Sequence, residues 1–187
     1  MSPQWEYRYY SFDPQWAPGR AMASMRDGQG DGWFALLRDE GIAVVGLAHE
    51  APAFRPGHPP DAIFADVPSS LRTGFLDEPA FDVQNSTFCI WRLRSDSQWR
   101  SGATLGRTLP DADGSDVLLR HLDARPESYV QFAAEYYEMD LHVADVTAVY
   151  DHRPIGPERA ARLNPAADFH ALEVELKTLG YPLAAPS

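Results

Sequence analysis

The segment from Asp27 to Gly32 alternates oxygen-bearing side chains with glycine, which is how a calcium-binding loop begins. Such a loop needs a bidentate glutamate at its twelfth position, and here that position holds Arg38, whose charge repels a cation. The segment therefore indicates a glycine-rich turn and not a calcium site.

A second candidate for chemistry is His49-Glu50, which resembles the start of a zinc-protease helix. The second histidine of that motif is missing, because position 53 is Ala53 and Pro52 opposes a helix. His58 and Asp61 lie in the following proline-rich loop and could complete a metal site by folding back. Ordinary surface histidines are the simpler interpretation. Asp140-Leu141-His142 and Asp151-His152 offer weaker acid–imidazole neighbours.

Cys89 is the single cysteine, so the chain forms no intramolecular disulfide and no cysteine-pair zinc site. It lies in an apolar strand-like run beside Trp91 and Leu93, where a thiol behaves as a small buried hydrophobe. We expect a core residue and not a nucleophile. The serine elbow, the phosphate-binding loop and the dinucleotide fingerprint are also missing, and no cofactor is expected.

The strongest basic and aromatic stretch follows Cys89 and can hold an anionic ligand or stack on a planar one. Its members are Trp91, Arg92, Arg94, Trp99, Arg100 and Arg107. The alternative is that these arginines only neutralise the acidic second half of the chain.

A third candidate surface lies where Glu135, Tyr136, Tyr137 and Glu138 end a predicted helix. Tyr137 is the predicted exposed aromatic, and acidic surface with tyrosine suits a basic protein partner. The alternative is a solvated helix face. The predicted binding residues are Trp91, Arg92, Arg94, Trp99, Glu135, Tyr137 and Glu138.

Strands dominate the predicted elements of the first part of the chain. Apolar runs at 33–37 and 42–47 flank a short connection ending in Gly41, which predicts a β-hairpin over 33–47. Alternation of apolar side chains predicts a further strand over 87–94. Residues 5–12 are expected to form a strand broken by Asp13-Pro14, residues 20–26 a short helix, residues 51–62 a loop and residues 68–76 a short helix.

Helical periodicity dominates from residue 116 onward. It predicts helices over 116–122, 126–138, 157–163 and 166–179, the last ending at Gly180. In the second helix Tyr129, Phe132, Ala133 and Tyr136 are expected to face inward. Residues 143–150 fit either a helix or a strand, and we favour a strand because of their β-branched content.

Together these elements predict an α+β fold in which an antiparallel sheet, hairpin 33–47 plus strand 87–94, packs against C-terminal helices. One domain over 1–187 is expected, with a β-rich half 1–110 and an acidic helical half 111–187. The halves carry net charges of −3 and −8 within a total of −11. Such acidity argues against nucleic acid. The apolar runs are too short for a bilayer and no secretory signal is evident, so a cytoplasmic protein is expected.

The chain resembles an uncharacterised bacterial protein family with no assigned function. The resemblance rests on residues 22–31, on Gly46-Leu47-Ala48-His49-Glu50, on residues 78–81 and 87–92, and on residues 132–138. It covers most of the chain and implies a bacterial, cytoplasmic origin. It implies no activity, ligand or catalytic residue.

Two hypotheses for function follow. The first is a non-catalytic binding protein, such as an immunity-type protein that neutralises a basic partner, because complementary charge speeds capture. The second is a metal-dependent or anion-binding enzyme with a site in the loop after the hairpin, using His49, Glu50, His58 or the pair Arg92 and Arg94. A homo-oligomer with an aromatic self-interface is a third possibility, and oligomeric state is not fixed by the sequence.

Overall fold

The computed structural model describes residues 8–57, 61–102 and 109–185. These residues belong to two compact units that meet in sequence between Leu118 and Leu119. We call residues up to Leu118 the sheet unit and residues from Leu119 the helical unit. The α+β class is confirmed, with an antiparallel sheet and helices that are mostly C-terminal. The expectation of a single domain stays a prediction.

The sheet unit contains a six-stranded antiparallel meander in which each strand pairs with the next along the chain. The strands are β1 (Tyr10–Ala17), β2 (Arg20–Arg26), β3 (Gly32–Arg38), β4 (Gly41–Leu47), β5 (Phe88–Leu93) and β6 (Arg100–Ser101). The hairpin over 33–47 and the strand over 87–94 are confirmed as β3, β4 and β5.

The helix predicted over 20–26 is wrong, because this segment is strand β2. The spacing of Met22 and Met25 suggested one face of a helix. In the strand, however, Met22 pairs with Leu36 on one face of the sheet and Met25 pairs with Trp33 on the other face. Pairing with β1 and β3 on both sides overrides the local pattern. The predicted break at Asp13-Pro14 is also wrong, since β1 runs through it with a register shift. Proline is tolerated there because β1 is an edge strand. Residues 5–7 lie outside the described residues.

One face of the sheet packs against the long connection between β4 and β5. Trp91, Cys89, Val45 and Leu36 form the strand side of this core, and the connection covers them with apolar side chains. Those residues are Ile63, Val67, Leu71, Phe75 and Phe81. The connection contains α1 (Ser69–Arg72) and short 3₁₀ turns at Asp61–Ile63, Pro79–Phe81 and Val83–Asn85. The helix predicted over 68–76 is therefore confirmed only in its first turn, Ser69–Arg72, and residues 73–76 form a non-helical turn.

The opposite face of the sheet also contains buried residues. The apolar residues on both faces of β5 had predicted this burial. Trp33 lies there and its indole N–H donates to the carbonyl of Leu118 at 3.1 Å. Leu118 belongs to α2 (Ser115–Leu119), the observed part of the helix predicted over 116–122. Gly46 pairs with Phe88, whose ring occupies the space that a Cβ at position 46 would need.

The helical unit contains α3 (Pro126–Tyr136), α4 (Val143–Tyr150), α5 (Pro157–Leu163) and α6 (Phe169–Thr178). The strand favoured for 143–150 is wrong. Val146 and Ala148 are buried in α4, and packing against α3 and α5 overrides the preference of valine for strands. Gly180 has a φ of 67°, as expected for a glycine that follows a helix end.

Two small apolar clusters hold the helical unit together. Ala133, Leu141 and Val146 form one, and Ile155, Ala160 and Leu176 form the other. Buried Asp145 of α4 accepts hydrogen bonds from Arg162 at 2.7 Å and from Arg159 at 3.3 Å, both in α5. These bonds hold the carboxylate charged and keep the pKa of Asp145 below its ordinary value.

Candidate binding site

The C-terminal end of α3 presents a surface that we call the acidic tyrosine patch, formed by Glu135, Tyr136, Tyr137, Glu138 and Asp140. All five residues are exposed, with 49% of the surface of Tyr136 and 39% of that of Tyr137 accessible. The exposure of Tyr137 is confirmed. The inward orientation expected for Tyr136 is wrong, because the inward face of α3 is already filled by Phe132 and Ala133.

The backbone ends α3 tightly at this surface. The N–H groups of Tyr137 and Met139 both donate to the carbonyl of Ala133, at 3.0 and 3.1 Å. This turn requires left-handed backbone at Glu138, whose φ is 55°. Glycine is preferred at such a position, and a residue with a Cβ costs about 1 kcal/mol there. The chain therefore presents a glutamate where a glycine would be more stable.

The charges at this helix end oppose the helix dipole. The C-terminus of a helix carries partial negative charge and favours lysine or arginine in its last turn. The last turn of α3 contains no basic residue. Among the described residues no cation lies within ion-pair distance of Glu135, Glu138 or Asp140, although Glu135 accepts a hydrogen bond from Gln131 at 2.8 Å. These carboxylates therefore lack the counter-charge that would stabilise them.

Aromatic packing fixes the two tyrosines in place. Phe132 stacks on Tyr136 with ring centroids 5.3 Å apart and meets Tyr137 edge-on at 5.6 Å. His121 packs on the same phenylalanine at 4.8 Å, and burial together with neighbouring Arg120 lowers its pKa. The tyrosines are therefore held at the surface in an ordered arrangement, which reduces the entropy lost when a partner binds.

The acidic residues are distributed more evenly when the chain is divided at the boundary between the sheet unit and the helical unit. Divided at Leu118, the chain has 16 acidic and 10 basic side chains before the boundary and 11 acidic and six basic after it. Asp111, Asp113 and Asp116 belong to the sheet unit, and the first two cap the start of α2 by accepting backbone N–H bonds. Overall acidity is therefore shared between the units, and the local arrangement at α3 distinguishes the patch.

The structure does not bring the predicted basic and aromatic stretch together on one face. Trp91 is buried on the core side of β5, whereas Arg92 alternates to the other face and is exposed. Arg94 and Trp99 are exposed in the connection to β6. The contacts of Arg92 and Arg100 are local, since both donate to Asp96. Arg107 lies outside the described residues.

His49 and Glu50 follow β4, and the structure gives His49 a partner that the sequence did not reveal. The carboxylate of Asp31 lies 2.6 Å from Nδ1 of His49, while Glu50 is 4.0 Å from Nε2. His58 lies outside the described residues, as does the side chain of Asp61. In the ranges that the structure describes, no three potential ligands group closely enough for a metal ion.

The other two candidates behave as expected. Asp27 to Gly32 forms the turn between β2 and β3, in which the Asp27 carboxylate accepts the N–H groups of Gln29 and Asp31. Cys89 is buried in the sheet core, and burial raises its pKa to about 12. A thiol with that pKa is protonated at neutral pH and is a poor nucleophile.

Comparison of the chain with family models, curated proteins and solved structures gives no significant match. This agrees with a resemblance that carries no assigned function, and bacterial origin stays a prediction. Within the described ranges, no helix is both long and apolar enough to cross a bilayer.

Proposed function

We propose that the protein is a non-catalytic binding protein whose acidic tyrosine patch captures a basic protein partner. The observation that carries the proposal is the last turn of α3, where exposed acids lie beside exposed tyrosines and no basic residue is present. This arrangement lowers the stability of the free protein. Binding a cationic surface would remove that penalty.

The chemistry of the patch suits arginine in particular. A guanidinium group forms charge-assisted hydrogen bonds with carboxylates and also stacks on the face of a tyrosine. Tyrosine supplies a large contact area at a low cost in side-chain entropy. A partner that presents two or three arginines on one face would therefore match Glu135, Tyr137 and Glu138. An immunity-type protein that blocks a basic toxin fits this description.

The test uses basic proteins encoded beside the gene for this chain. Each is purified and mixed with the protein, and complex formation is followed by size-exclusion chromatography at low and high salt. A stable complex that weakens as salt rises supports the proposal, because dissolved ions screen the attraction between exposed charges of the patch and the partner. If none of the neighbouring basic proteins forms a complex at low salt, the immunity-type role is contradicted.

The enzyme hypothesis has one supporting observation, the short contact between Asp31 and His49. A carboxylate that orients an imidazole is part of many acid–base sites. No serine or cysteine lies within hydrogen-bonding distance of Nε2 of His49 among the described residues. Zinc, manganese and calcium are the probes for the metal version. A rise in melting temperature with one of them, lost in His49→Ala, would favour an enzyme over a binding protein.

A further inference from the structure

His121 packs against the same phenylalanine that holds the two tyrosines of the acidic tyrosine patch. Its ring centroid lies 4.8 Å from that of Phe132. Phe132 in turn stacks on Tyr136 at 5.3 Å and meets Tyr137 at 5.6 Å. All four rings belong to the helical unit. A change in the charge of the imidazole therefore acts within one ring contact of both tyrosines.

The two ring nitrogens of His121 have different surroundings. Nε2 accepts the Nε–H of Arg120 at 3.0 Å, so this atom carries no proton. In the neutral ring the proton must then lie on Nδ1, which is buried and has no partner among the described residues. Proton uptake therefore occurs at Nε2. Because Nε2 and the Arg120 nitrogen would then both be donors, the added proton breaks the contact between the two side chains.

Charges of both signs act on the imidazole. Burial and the charge of Arg120 oppose its protonation and lower its pKa, whereas the charges of Asp123 and Glu135 favour protonation. Arg120 is exposed and can turn into solvent once its bond to the ring is lost. Asp123 already accepts hydrogen bonds from Arg125 and Ser128. Glu135 has no cation within ion-pair distance in the described part of the chain, so a charged imidazole would act mainly on this carboxylate of the patch.

We infer that His121 makes the acidic tyrosine patch sensitive to pH: the patch binds a basic partner while the imidazole is neutral and releases it when acidification protonates the ring. Protonation detaches Arg120 and places a positive charge near Glu135, which offsets the carboxylate and repels the arginines of the partner. By linkage, a bound cationic partner holds the imidazole neutral. Release of a partner rests on the proposed function, whereas the coupling between His121 and the patch is a property of the free protein.

The coupling is tested without a partner, by NMR of the full chain between pH 8 and pH 5. The ring resonances of Tyr136 and Tyr137 should shift with the same midpoint as those of His121, below about pH 6.5, and should lose this step in His121→Gln. Arg120→Gln should raise the midpoint, because it removes the charge that opposes protonation. Arg153→Gln removes an arginine that pairs with another carboxylate and should leave the midpoint unchanged. Tyrosine resonances that do not follow His121 would overturn the inference.

Release is tested with the peptide tetra-arginine as the basic probe, titrated into the protein at pH 7.5 and at pH 5.5. Affinity should fall at least about threefold at the lower pH, and His121→Gln should bind equally at both. His142→Gln is the matched control, because it removes another exposed histidine near the patch in sequence and should keep the native fall.

The outcomes separate the two proposals. A native chain that binds tetra-arginine equally at both pH values, or a His121→Gln variant that keeps the native fall, would overturn the pH sensitivity. No binding at pH 7.5 would contradict the proposed function instead, and the shared midpoint of His121 and the tyrosines would still decide whether the histidine controls the patch.

Discussion

Asp31 and His49 join the start of β3 to the end of β4 through one carboxylate oxygen. Oδ1 of Asp31 accepts the backbone N–H of His49 at 2.7 Å and lies 2.6 Å from the ring Nδ1. Gly32 and Leu47 are the last pair of the β3–β4 ladder, and the Asp31 carboxylate links the two chains just beyond it by contacting both the backbone and the ring of His49. The turn between β2 and β3 is thereby tied to the sheet.

The pair makes the stability of this end of the sheet depend on pH. The hydrogen bond with Asp31, followed by the charge of Asp31, raises the pKa of His49. The stabilisation is therefore full below the ordinary histidine pKa of about 6.5 and is lost as pH rises through the raised value. Melting temperatures between pH 5 and pH 9 should show this loss in the native chain and not in His49→Gln. Parallel profiles for the two proteins would show that the pair contributes nothing.

Asp145 is expected to be the most important carboxylate of the helical unit. Asp145→Asn weakens the bonds from Arg159 and Arg162 and should lower the free energy of unfolding by about 1–3 kcal/mol, measured in urea. Asp151→Asn is the control, because its contact with Arg153 at 3.4 Å is exposed and should matter by less than about 1 kcal/mol. Equal effects would show that the Asp145 network is not special.

Cys89 should report unfolding of the sheet unit. It is buried and its pKa is raised to about 12, so a thiol reagent at neutral pH should label it only when the sheet opens. The labelling rate should rise with urea in parallel with loss of the folded signal. Rapid labelling in the absence of denaturant would contradict the buried position.

Glu138 should limit the stability of the end of α3. Glu138→Gly relieves the left-handed backbone and should raise the free energy of unfolding of the helical unit by about 1 kcal/mol. Glu127→Gly makes the same substitution in the first turn of the helix and should lower the free energy of unfolding by a similar amount. A destabilised Glu138→Gly would mean that the glutamate serves the fold and not a partner.

Sequence patterns predicted the elements whose signal is local. Two apolar runs joined by a short connection ending in Gly41 revealed β3 and β4, and alternation revealed β5. The helices over 126–138 and 157–163 followed from their helical period. The predictions for Arg20–Arg26 and Val143–Tyr150 were wrong because the secondary structure of these segments depends on packing against elements distant in sequence. The contacts of Asp31 with His49 and of Asp145 with Arg162 are of the same kind. Trp91 and Arg100 were both noted in the sequence, yet only the β5–β6 register places them opposite each other.

The most direct test of the proposed function is the affinity of the basic partner for charge-reversed patches, measured by isothermal titration calorimetry. The double variant Glu135→Lys, Glu138→Lys should weaken binding at least about tenfold, because it places positive charge where the partner's cations bind. Glu127→Lys makes the same kind of change at the other end of α3 and should bind like the native protein. Unchanged affinity in the double variant would show that the acidic tyrosine patch is only a solvated helix end.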